Sequence, residues 1–343
     1  MLEITVLQGV WFALIGILIA GYFILDGFDL GIGVLYPFLG KNDHDKALLR
    51  RAVGPVWDGN EVWLLTAGGA LFAAFPPAYA TSFSGFYLTI MLVLFGLIGR
   101  AVALEFRGYE KDWSKLFDGM FFVGSLLPAL LCGVALGNVL EGIQLDAYGN
   151  YIGGLFALLN PFALLCGVLG LVACITLGAS WLAVKTPVSD PIYDKAARIR
   201  FVGLLLTLVL FALATLCYFS IAPQDFGGTI DDILSVMFGL VAAVGIVVAL
   251  ALGRKKADMP AHIALSVACA CFIGCTACGL FPLIIPASDL ALSITIAGAA
   301  ASEYALTCMT IITCIGLPLV LLYHVIVYRT FRGKISDEDL LEY

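Results

Sequence analysis

All eighteen lysine and arginine residues fall into five short clusters, and long apolar runs separate these clusters. A helix needs about 20 apolar residues to cross the hydrocarbon core of a membrane. One such run precedes the first cluster, and every later interval holds enough apolar sequence for two helices. The clusters span residues 41–51, 100–115, 185–200, 254–256 and 329–334. The pattern predicts an all-α integral membrane protein with nine transmembrane helices.

The ends of the predicted helices follow from the apolar runs and the turn residues that interrupt them. The approximate ranges are 8–37, 57–76, 80–100, 117–139, 154–184, 201–222, 233–253, 261–285 and 303–328. The breaks midway between basic clusters, at 75–77, 138–150, 223–232 and 286–287, contain no Lys or Arg. Basic loops mark the cytoplasmic side, so the N-terminus is predicted outside and the C-terminus inside.

Composition supports this class and excludes others. The chain is 62% hydrophobic and 13% charged, whereas globular proteins are about half apolar and a quarter charged. The ten cysteines all lie in apolar runs, which favours buried small side chains over disulfides or a zinc site. No basic aromatic surface for nucleic acid is visible. We therefore expect a single polytopic membrane domain over residues 1–343, with helices 1–4 at about 8–139 and helices 5–9 at about 154–328.

Two pairs of carboxylates lie where a membrane chain should avoid them. Asp26 and Asp29 are near the inner end of the first predicted helix, and Asp58 and Glu61 open the second. Each pair has i,i+3 spacing, so its acids share one face of a helix. Carboxylates in a membrane are costly and mark sites for protons, ions or assembly.

The predicted topology brings further charged residues to the same depth. Arg100 and Glu105 end the third helix there, and Asp118 opens the fourth. Such acids can relay protons. The alternative is structural: Asp29 and Arg100 can form a buried ion pair that holds helices together, and Asp118 can interact with a helix dipole. Both interpretations remain open at this point.

Histidines offer little support for haem ligation by this chain. His44 lies in a predicted loop, His262 at a predicted helix start, and His324 near the inner end of the last helix. A chain that ligated several haems would show His or Met ligands inside its spans. We therefore expect interfacial or capping roles for these histidines, with redox chemistry on a partner.

Three long motifs of unusual composition stand in the first part of the chain. They are Asp26-Gly27-Phe28-Asp29-Leu30-Gly31-Ile32-Gly33, Trp57-Asp58-Gly59-Asn60-Glu61-Val62-Trp63-Leu64 and Gly68-Gly69-Ala70-Leu71-Phe72-Ala73-Ala74-Phe75-Pro76. These motifs resemble subunit II of the cytochrome bd-type quinol oxidases. Shorter matches are Ser84-Gly85-Phe86-Tyr87, Arg100, Gly137-Asn138 and Leu159-Asn160-Pro161-Phe162. The similarity covers nearly the whole chain. Some relatives carry Gln where this sequence has Glu61, and the added acid can either widen the proton entry or pair with Arg100.

The resemblance implies a fold of two four-helix bundles plus one peripheral helix, in a bacterial inner membrane. It also implies a haem-bearing partner, subunit I, which holds haem b and haem d, or a third haem b, and where quinol is oxidised and oxygen is reduced to water. This chain is then expected to ligate no haem, to hold a structural quinone in some members, and to contact lipids and, in some complexes, a small single-helix subunit.

The resemblance also assigns roles to individual residues. Asp58 is expected to be the relay of a proton uptake path from the cytoplasm. To it we add Glu61 and Asp26 as helpers, because they lie at the same depth. Asp29, Arg100 and Trp57 are associated with structure and haem assembly. Two alternatives remain: a purely structural assembly subunit without proton traffic, and a secondary transporter. The transporter is disfavoured because its ionisable residues would lie at the midplane, commonly in inverted repeats.

Overall fold

The computed structural model describes residues 4–109, 111–221, 229–336 and 338–342, and its long elements are helices. The predicted break at 223–232 lies largely outside the described residues. The twelve α-helices are α1 Val6–Leu39, α2 Asp43–Val53, α3 Trp57–Ala74, α4 Pro76–Gly85, α5 Tyr87–Phe106, α6 Ser114–Glu141, α7 Pro161–Lys185, α8 Pro191–Ile221, α9 Thr229–Arg254, α10 Asp258–Leu280, α11 Ile296–Ala299 and α12 Glu303–Thr330.

Eight of the helices in the described part of the chain are long and apolar enough to cross a membrane. They are α1, α5, α6, α7, α8, α9, α10 and α12. The remaining helix that the sequence predicted as a span is α3, which has eighteen residues. Its first turns carry Asp58, Asn60 and Glu61, and these polar side chains lower its hydropathy. The structure is therefore that of a multi-pass membrane protein.

Several predicted helix ends differ from the observed ones. The seventh helix was predicted to begin near residue 154 but begins at Pro161, after a 3-10 turn at Leu155–Leu159. The Asn160 side chain accepts a hydrogen bond from the backbone N–H of Ala163 at 2.6 Å. Proline at the first helical position and an Asn cap define a helix start, and residues before proline avoid helical backbone.

Other differences concern short elements within predicted spans or loops. Helix α2 occupies the first basic loop, which was predicted as a turn, and Asn42 caps it by accepting from the N–H of Asp45 at 2.8 Å. Helix α8 begins ten residues before the predicted start. The predicted span 261–285 ends at Leu280 because the chain then enters an antiparallel strand pair, β1 Leu283–Ile285 with β2 Ile294–Thr295.

Helix α1 lies at the centre of the fold and packs against α3, α6, α7 and α10. Its crossing with α7 is very close at Gly31 and Gly178. A Cβ at Gly31 would overlap the carbonyl oxygen of Cys174, and one at Gly178 would lie 2.6 Å from the Gly31 carbonyl carbon. Glycines permit this approach, as is typical of small residues at interfaces between membrane helices. The crossing fixes the height of α1, and so of Asp26 and Asp29, relative to α7.

An asparagine pair joins the end of α6 to the start of α7. Asn160 donates to the side-chain oxygen of Asn138 at 3.0 Å, and Asn138 donates to the carbonyl oxygens of Val134 and Leu158 at 2.9 and 2.8 Å. The amide protons of Asn138 are thus satisfied in a buried setting. Two of the shorter motifs in the sequence therefore form one structural junction.

Hydrogen bonds join helix α12 to α1 and α3. Among its residues, all of which the structure describes, only Leu306 is buried. The indole N–H of Trp11 donates to the hydroxyl of Thr310 at 3.0 Å, and that of Trp63 donates to Nε2 of His324 at 3.1 Å. Most of the apolar surface of α12 is thus available to lipid or to another chain.

The segment after α12 lies against the ends of other helices. Lys334 donates to the carbonyl oxygen of Ala183 at 2.7 Å, and the N–H of Ile335 donates to that of Lys185 at 2.8 Å. Lys185 in turn donates to the carbonyl oxygen of Phe331. These bonds satisfy terminal carbonyls of α7 and α12, as basic residues near helix C-termini do. We name residues 331–336, together with 338 and 339, the C-terminal strap.

Candidate functional site

The centre of the candidate site is Arg100, which is fully buried and binds two carboxylates from different helices. Its Nη1 lies 2.7 Å from Oδ1 of Asp26, and its Nη2 lies 2.8 Å from Oε2 of Glu61. Asp26 is also fully buried, whereas the Glu61 side chain is 19% exposed. The planar guanidinium has five fixed donors, and it can therefore bind both acids at once. Arg100 joins α1, α3 and α5 at one point.

A second set of hydrogen bonds lies beside it, around Asn60. Its side-chain nitrogen donates to Oδ2 of Asp29 at 2.7 Å and to the carbonyl oxygen of Leu25 at 3.2 Å. The Tyr328 hydroxyl donates to the side-chain oxygen of Asn60 at 3.0 Å. Because a hydroxyl donates to that oxygen, the nitrogen of the amide faces Asp29. Tyr328 thereby fixes the orientation of an amide 268 residues away in the sequence.

The ion pair between Asp29 and Arg100, considered above as the structural alternative, does not form: Arg100 binds Asp26 and Glu61, and Asp29 binds Asn60. Spacing along α1 placed both aspartates on one side of the helix but gave no information on which one faces α5. Asp29 faces α3 and α12 instead, where its partner is neutral. One oxygen of Asp29, Oδ1, is buried and has no hydrogen-bond partner in the described part of the chain.

The site contains more acid than base. Three carboxylates, Asp26, Asp29 and Glu61, surround one guanidinium, that of Arg100. If all three were ionised, the group would carry −3 + 1 = −2 charges in a region where uncompensated charge is costly. Binding one proton halves that excess charge, and binding two removes it. The arrangement is thus chemically suited to holding and releasing protons.

Asp58 lies next to this group, at the surface of the chain. It is exposed in the isolated chain, one helical turn before Glu61 in α3, and Trp57 beside it is half-buried. The structure thus brings Asp26, Asp29, Glu61 and Arg100 together, with Asp58 next to them at the surface. Exposure increases in the order Asp26, Glu61, Asp58.

The two remaining acids at this depth do not join the site. Asp118 accepts from the Tyr36 hydroxyl at 2.9 Å, from Lys46 at 2.7 Å and from Arg107 at 3.1 Å. It connects the first basic loop to the start of α6. Glu105 is exposed. The predicted group of six acids thus divides into the Arg100 site, a separate Asp118 cluster and surface residues.

The two histidines in long apolar helices have different surroundings. The Nδ1 of His324 lies 2.9 Å from the carbonyl oxygen of Val320, and its Nε2 accepts from Trp63. His262 is buried, with ring-centre distances of 5.8 Å to Phe28 and 5.2 Å to Trp181. In the described ranges, no three His, Cys, Asp or Glu residues come together as a metal site.

Two members of the site, Asn60 and Tyr328, were missed in the sequence as residues with roles of their own. Asn60 was visible only as part of the motif that contains Asp58 and Glu61. Tyr328 carried no signal, because one tyrosine near the end of an apolar helix is typical of a membrane interface. The partner of the Asn60 side chain depends on how α12 packs on α3, and residue spacing in the sequence does not reveal that packing.

Comparison with known proteins places this architecture in a family. Residues 7–331 match the family described as cytochrome bd terminal oxidase subunit II. The chain is 35% identical to cytochrome bd-I ubiquinol oxidase subunit 2 of Escherichia coli K12 over 373 aligned positions, covering 99% of this chain and 98% of that protein. It is 34% identical to cytochrome bd ubiquinol oxidase subunit 2 of Bacillus subtilis, covering 98% and 99%.

A solved structure shares the fold. A chain of the bd oxidase from Geobacillus thermodenitrificans superposes with a TM-score of 0.79 at 16% identity, covering 95% of this chain and 99% of that one. The family match and the two full-length relatives carry the assignment, and the structural likeness supports the fold. The chain belongs to the cytochrome bd terminal oxidase subunit II family, and it is a subunit of an oxidoreductase complex.

Proposed function

We propose that this chain, as subunit II of a quinol oxidase that reduces oxygen to water, provides a proton uptake path from the cytoplasm toward the oxygen site. It spans a bacterial inner membrane nine times, α3 included, as two four-helix bundles and a peripheral helix, with its N-terminus outside and its C-terminus in the cytoplasm. The observation that carries the proposal is the excess of carboxylates around Arg100, of which Glu61 is partly exposed and lies one helical turn from the exposed Asp58.

The path follows the gradient of exposure. Asp58 takes up a proton at the surface, Glu61 is the half-buried intermediate, and Asp26 is the buried end of the path. Glu61 and Asp26 share Arg100, with contacts of 2.8 and 2.7 Å. A proton on either acid weakens its bond to the guanidinium and strengthens the bond of the other acid. Arg100 thereby couples the protonation of the two carboxylates, which is the behaviour of interacting sites.

The redox centres, haem b with haem d or a third haem b, are assigned to the partner subunit I. The hydrogen bonds at both ring nitrogens of His324 support this division. No step of the path therefore depends on a haem bound to this chain. Its contribution is to deliver protons and, through the helix junction at Arg100, Asp29 and Trp57, to hold the surface against which the partner assembles. A structural quinone and a small single-helix subunit are further candidate partners.

A purely structural role is the second candidate, and one observation favours it. Arg100 is fully buried in two short ion pairs that connect three helices. Removing one member of such a pair is strongly destabilising, by about 3–5 kcal/mol, because the other charge remains buried. In this case the site maintains the fold and needs no proton traffic. A secondary transporter is not retained, since the chain belongs to an oxidase family.

Substitution of Asp58 distinguishes the two functions. Asp58→Asn keeps the shape of an exposed side chain but removes its ability to bind and release a proton. We therefore expect assembly and haem spectra of the complex to be retained. Quinol oxidase turnover should fall roughly tenfold or more, within the range that a positioned acid–base group supplies. Glu105→Gln is the matched control, since Glu105 is an exposed acid at the same depth outside the Arg100 site. Unchanged turnover in Asp58→Asn would rule out the relay.

A further inference from the structure

A cavity of about 200 Å³ lies between α8 and α9, and none of its lining residues belongs to the Arg100 site. Two arginines lie at one end, and apolar side chains form the rest. The lining includes Arg200, Arg254, Phe201, Leu204, Ala249 and Leu250. Residues 200 and 254 lie at the inner ends of their spans, so the chain enters the hydrocarbon from Arg200 toward Leu204 and from Arg254 toward Ala249. The cavity is thus basic at the membrane boundary and apolar deeper in the bilayer.

Two contacts hold the guanidinium of Arg200 at the cavity, and its side chain is only 3% exposed. Its Nη1 lies 3.0 Å from Oδ1 of Asp258, and its Nη2 donates to the carbonyl oxygen of Gly253 at 3.3 Å. A Cβ at position 253 would lie 3.1 Å from Nη2, so a glycine there lets the guanidinium lie against α9. Two of the five guanidinium donors are used in these bonds.

Arg254 closes the cavity from the other side. Its guanidinium carbon lies 5.0 Å from the centre of the Phe201 ring, a cation–π distance that orients the group. Lys255 and Lys256 follow at once and are exposed. Together with Arg200 these residues carry four positive charges. Asp258 neutralises one of them, so this end of the cavity keeps a net positive charge. Such basic pockets between membrane helices are suited to anionic lipid head groups.

We propose that this cavity binds an anionic phospholipid from the leaflet on the side of the basic loops. The phosphate lies between Arg200 and Arg254, and the first part of one acyl chain lies along Leu204, Ala249 and Leu250. A soluble phosphate ion would use only the basic end, whereas the apolar depth of the cavity matches an acyl chain. A bound lipid would fill the space between α8 and α9 and hold these helices together in the membrane.

The proposal can be tested on the purified, delipidated complex with both large subunits. Phosphatidylglycerol and phosphatidylcholine of the same chain length would be titrated, and bound lipid counted by native mass spectrometry. We expect a preference for phosphatidylglycerol that Arg254→Gln reduces about fivefold, since one basic residue near an anionic lipid contributes about 1 kcal/mol. Arg329→Gln, an exposed arginine at the end of α12, is the control and should leave the preference unchanged.

A second variant tests the cavity without changing charge. Ala197→Phe fills the cavity from α8 and should abolish the bound lipid, whereas Ala212→Phe, at an exposed position on the same helix, should not. Haem spectra and the co-purified partner report whether each variant assembles. If Ala197→Phe does not assemble, lipid binding by Arg254→Gln alone tests the proposal. The proposal would be overturned if Arg254→Gln and an assembled Ala197→Phe bound the lipid as the native complex does. It would also be overturned if phosphatidylglycerol were not preferred over phosphatidylcholine, or if millimolar inorganic phosphate displaced the lipid.

Discussion

Tyr328 and Asn60 lie 268 residues apart in the sequence, and a hydrogen bond of 3.0 Å joins the tyrosine hydroxyl to the asparagine side-chain oxygen. This contact connects α12, whose surface is mostly exposed, to the acidic site between α1, α3 and α5. It also determines which end of the amide faces Asp29. A helix at the edge of the chain therefore contributes to the geometry of its buried charges.

Removing this hydroxyl should disturb the site without creating a cavity. Tyr328→Phe leaves the buried oxygen of Asn60 without its donor, which costs about 1–3 kcal/mol, and it permits the amide to turn away from Asp29. We expect a lower midpoint of thermal inactivation of the complex and slower turnover. Tyr323→Phe, on an exposed neighbouring tyrosine, should change neither. Native behaviour of Tyr328→Phe would show that Asn60 is oriented by its other contacts alone.

Arg100 should be required for assembly because its loss leaves buried carboxylates without a counter-charge. We expect Arg100→Met to abolish accumulation of the complex, in line with a cost of about 3–5 kcal/mol for breaking a buried pair. Adding Asp26→Asn to that variant removes one of the unpaired charges and should restore part of the accumulation. The measurement is a double-mutant cycle on the amount of assembled, haem-containing complex.

Comparing Glu61→Gln with Asp26→Asn in the same background distinguishes the two acids that Arg100 binds. Glu61 is partly exposed, whereas Asp26 is fully enclosed, so water can solvate the first but not the second. Glu61→Gln in the Arg100→Met background should therefore restore less accumulation than Asp26→Asn does. Equal recovery by the two would contradict the difference in burial on which the proposed direction of the path depends.

The glycine crossing of α1 and α7 predicts a position at which one methyl group is not tolerated. In Gly31→Ala the new Cβ would overlap the Cys174 carbonyl oxygen, and rigid backbone atoms on both helices prevent easy relief. We expect the helices to separate and the amount of assembled complex to fall sharply. Gly69→Ala is the control, since a Cβ there meets no atom within 4 Å. Full assembly of Gly31→Ala would mean that α1 and α7 cross less closely.

Much of the fold could be predicted from the sequence because lipid imposes simple rules. The apolar runs and basic clusters predicted every long helix, α3 included, and the acidic motifs predicted that Asp26, Glu61 and Arg100 lie at one depth. The pairing of Glu61 with Arg100 was one of two possibilities that the sequence offered for the added acid, whereas the pairing of Asp26 with Arg100 could not be predicted. Helical spacing gives the face on which Asp29 lies, but the rotation of α1 relative to α5 depends on contacts such as that between Gly31 and Gly178, which involve distant parts of the chain.

Short elements were missed for a related reason. An apolar run does not show whether it remains helical, so β1 at Leu283–Ile285 was predicted as the end of a helix. The start of α7 at Pro161 could have been recognised from Asn160 and the proline that follows it. The C-terminal strap carried no periodic signal at all, since its position depends on single hydrogen bonds to the ends of other helices.

The strap gives a prediction about pH outside the membrane. The N–H and hydroxyl groups of Ser336, together with Arg51 at 3.0 Å, hold the pKa of the Asp339 carboxyl down to about 2 from a usual value near 4. A carboxyl with a lowered pKa stabilises the folded strap above its unfolded pKa, and that contribution is lost as the pH falls through about 2. Attachment of the strap should thus be complete at neutral pH and weaken between about pH 4 and pH 2.

Asp339→Asn removes the charge at any pH and should release the strap under neutral conditions. The measurement is cleavage after Arg332 and Lys334 by a protease specific for basic residues, which requires the strap to leave the ends of α7 and α12. We expect faster cleavage in Asp339→Asn than in Glu338→Gln, a change of the same kind at the exposed neighbouring residue. If both variants are cleaved at the native rate, the hydrogen bonds of Lys334 and Ile335 hold the strap without Asp339.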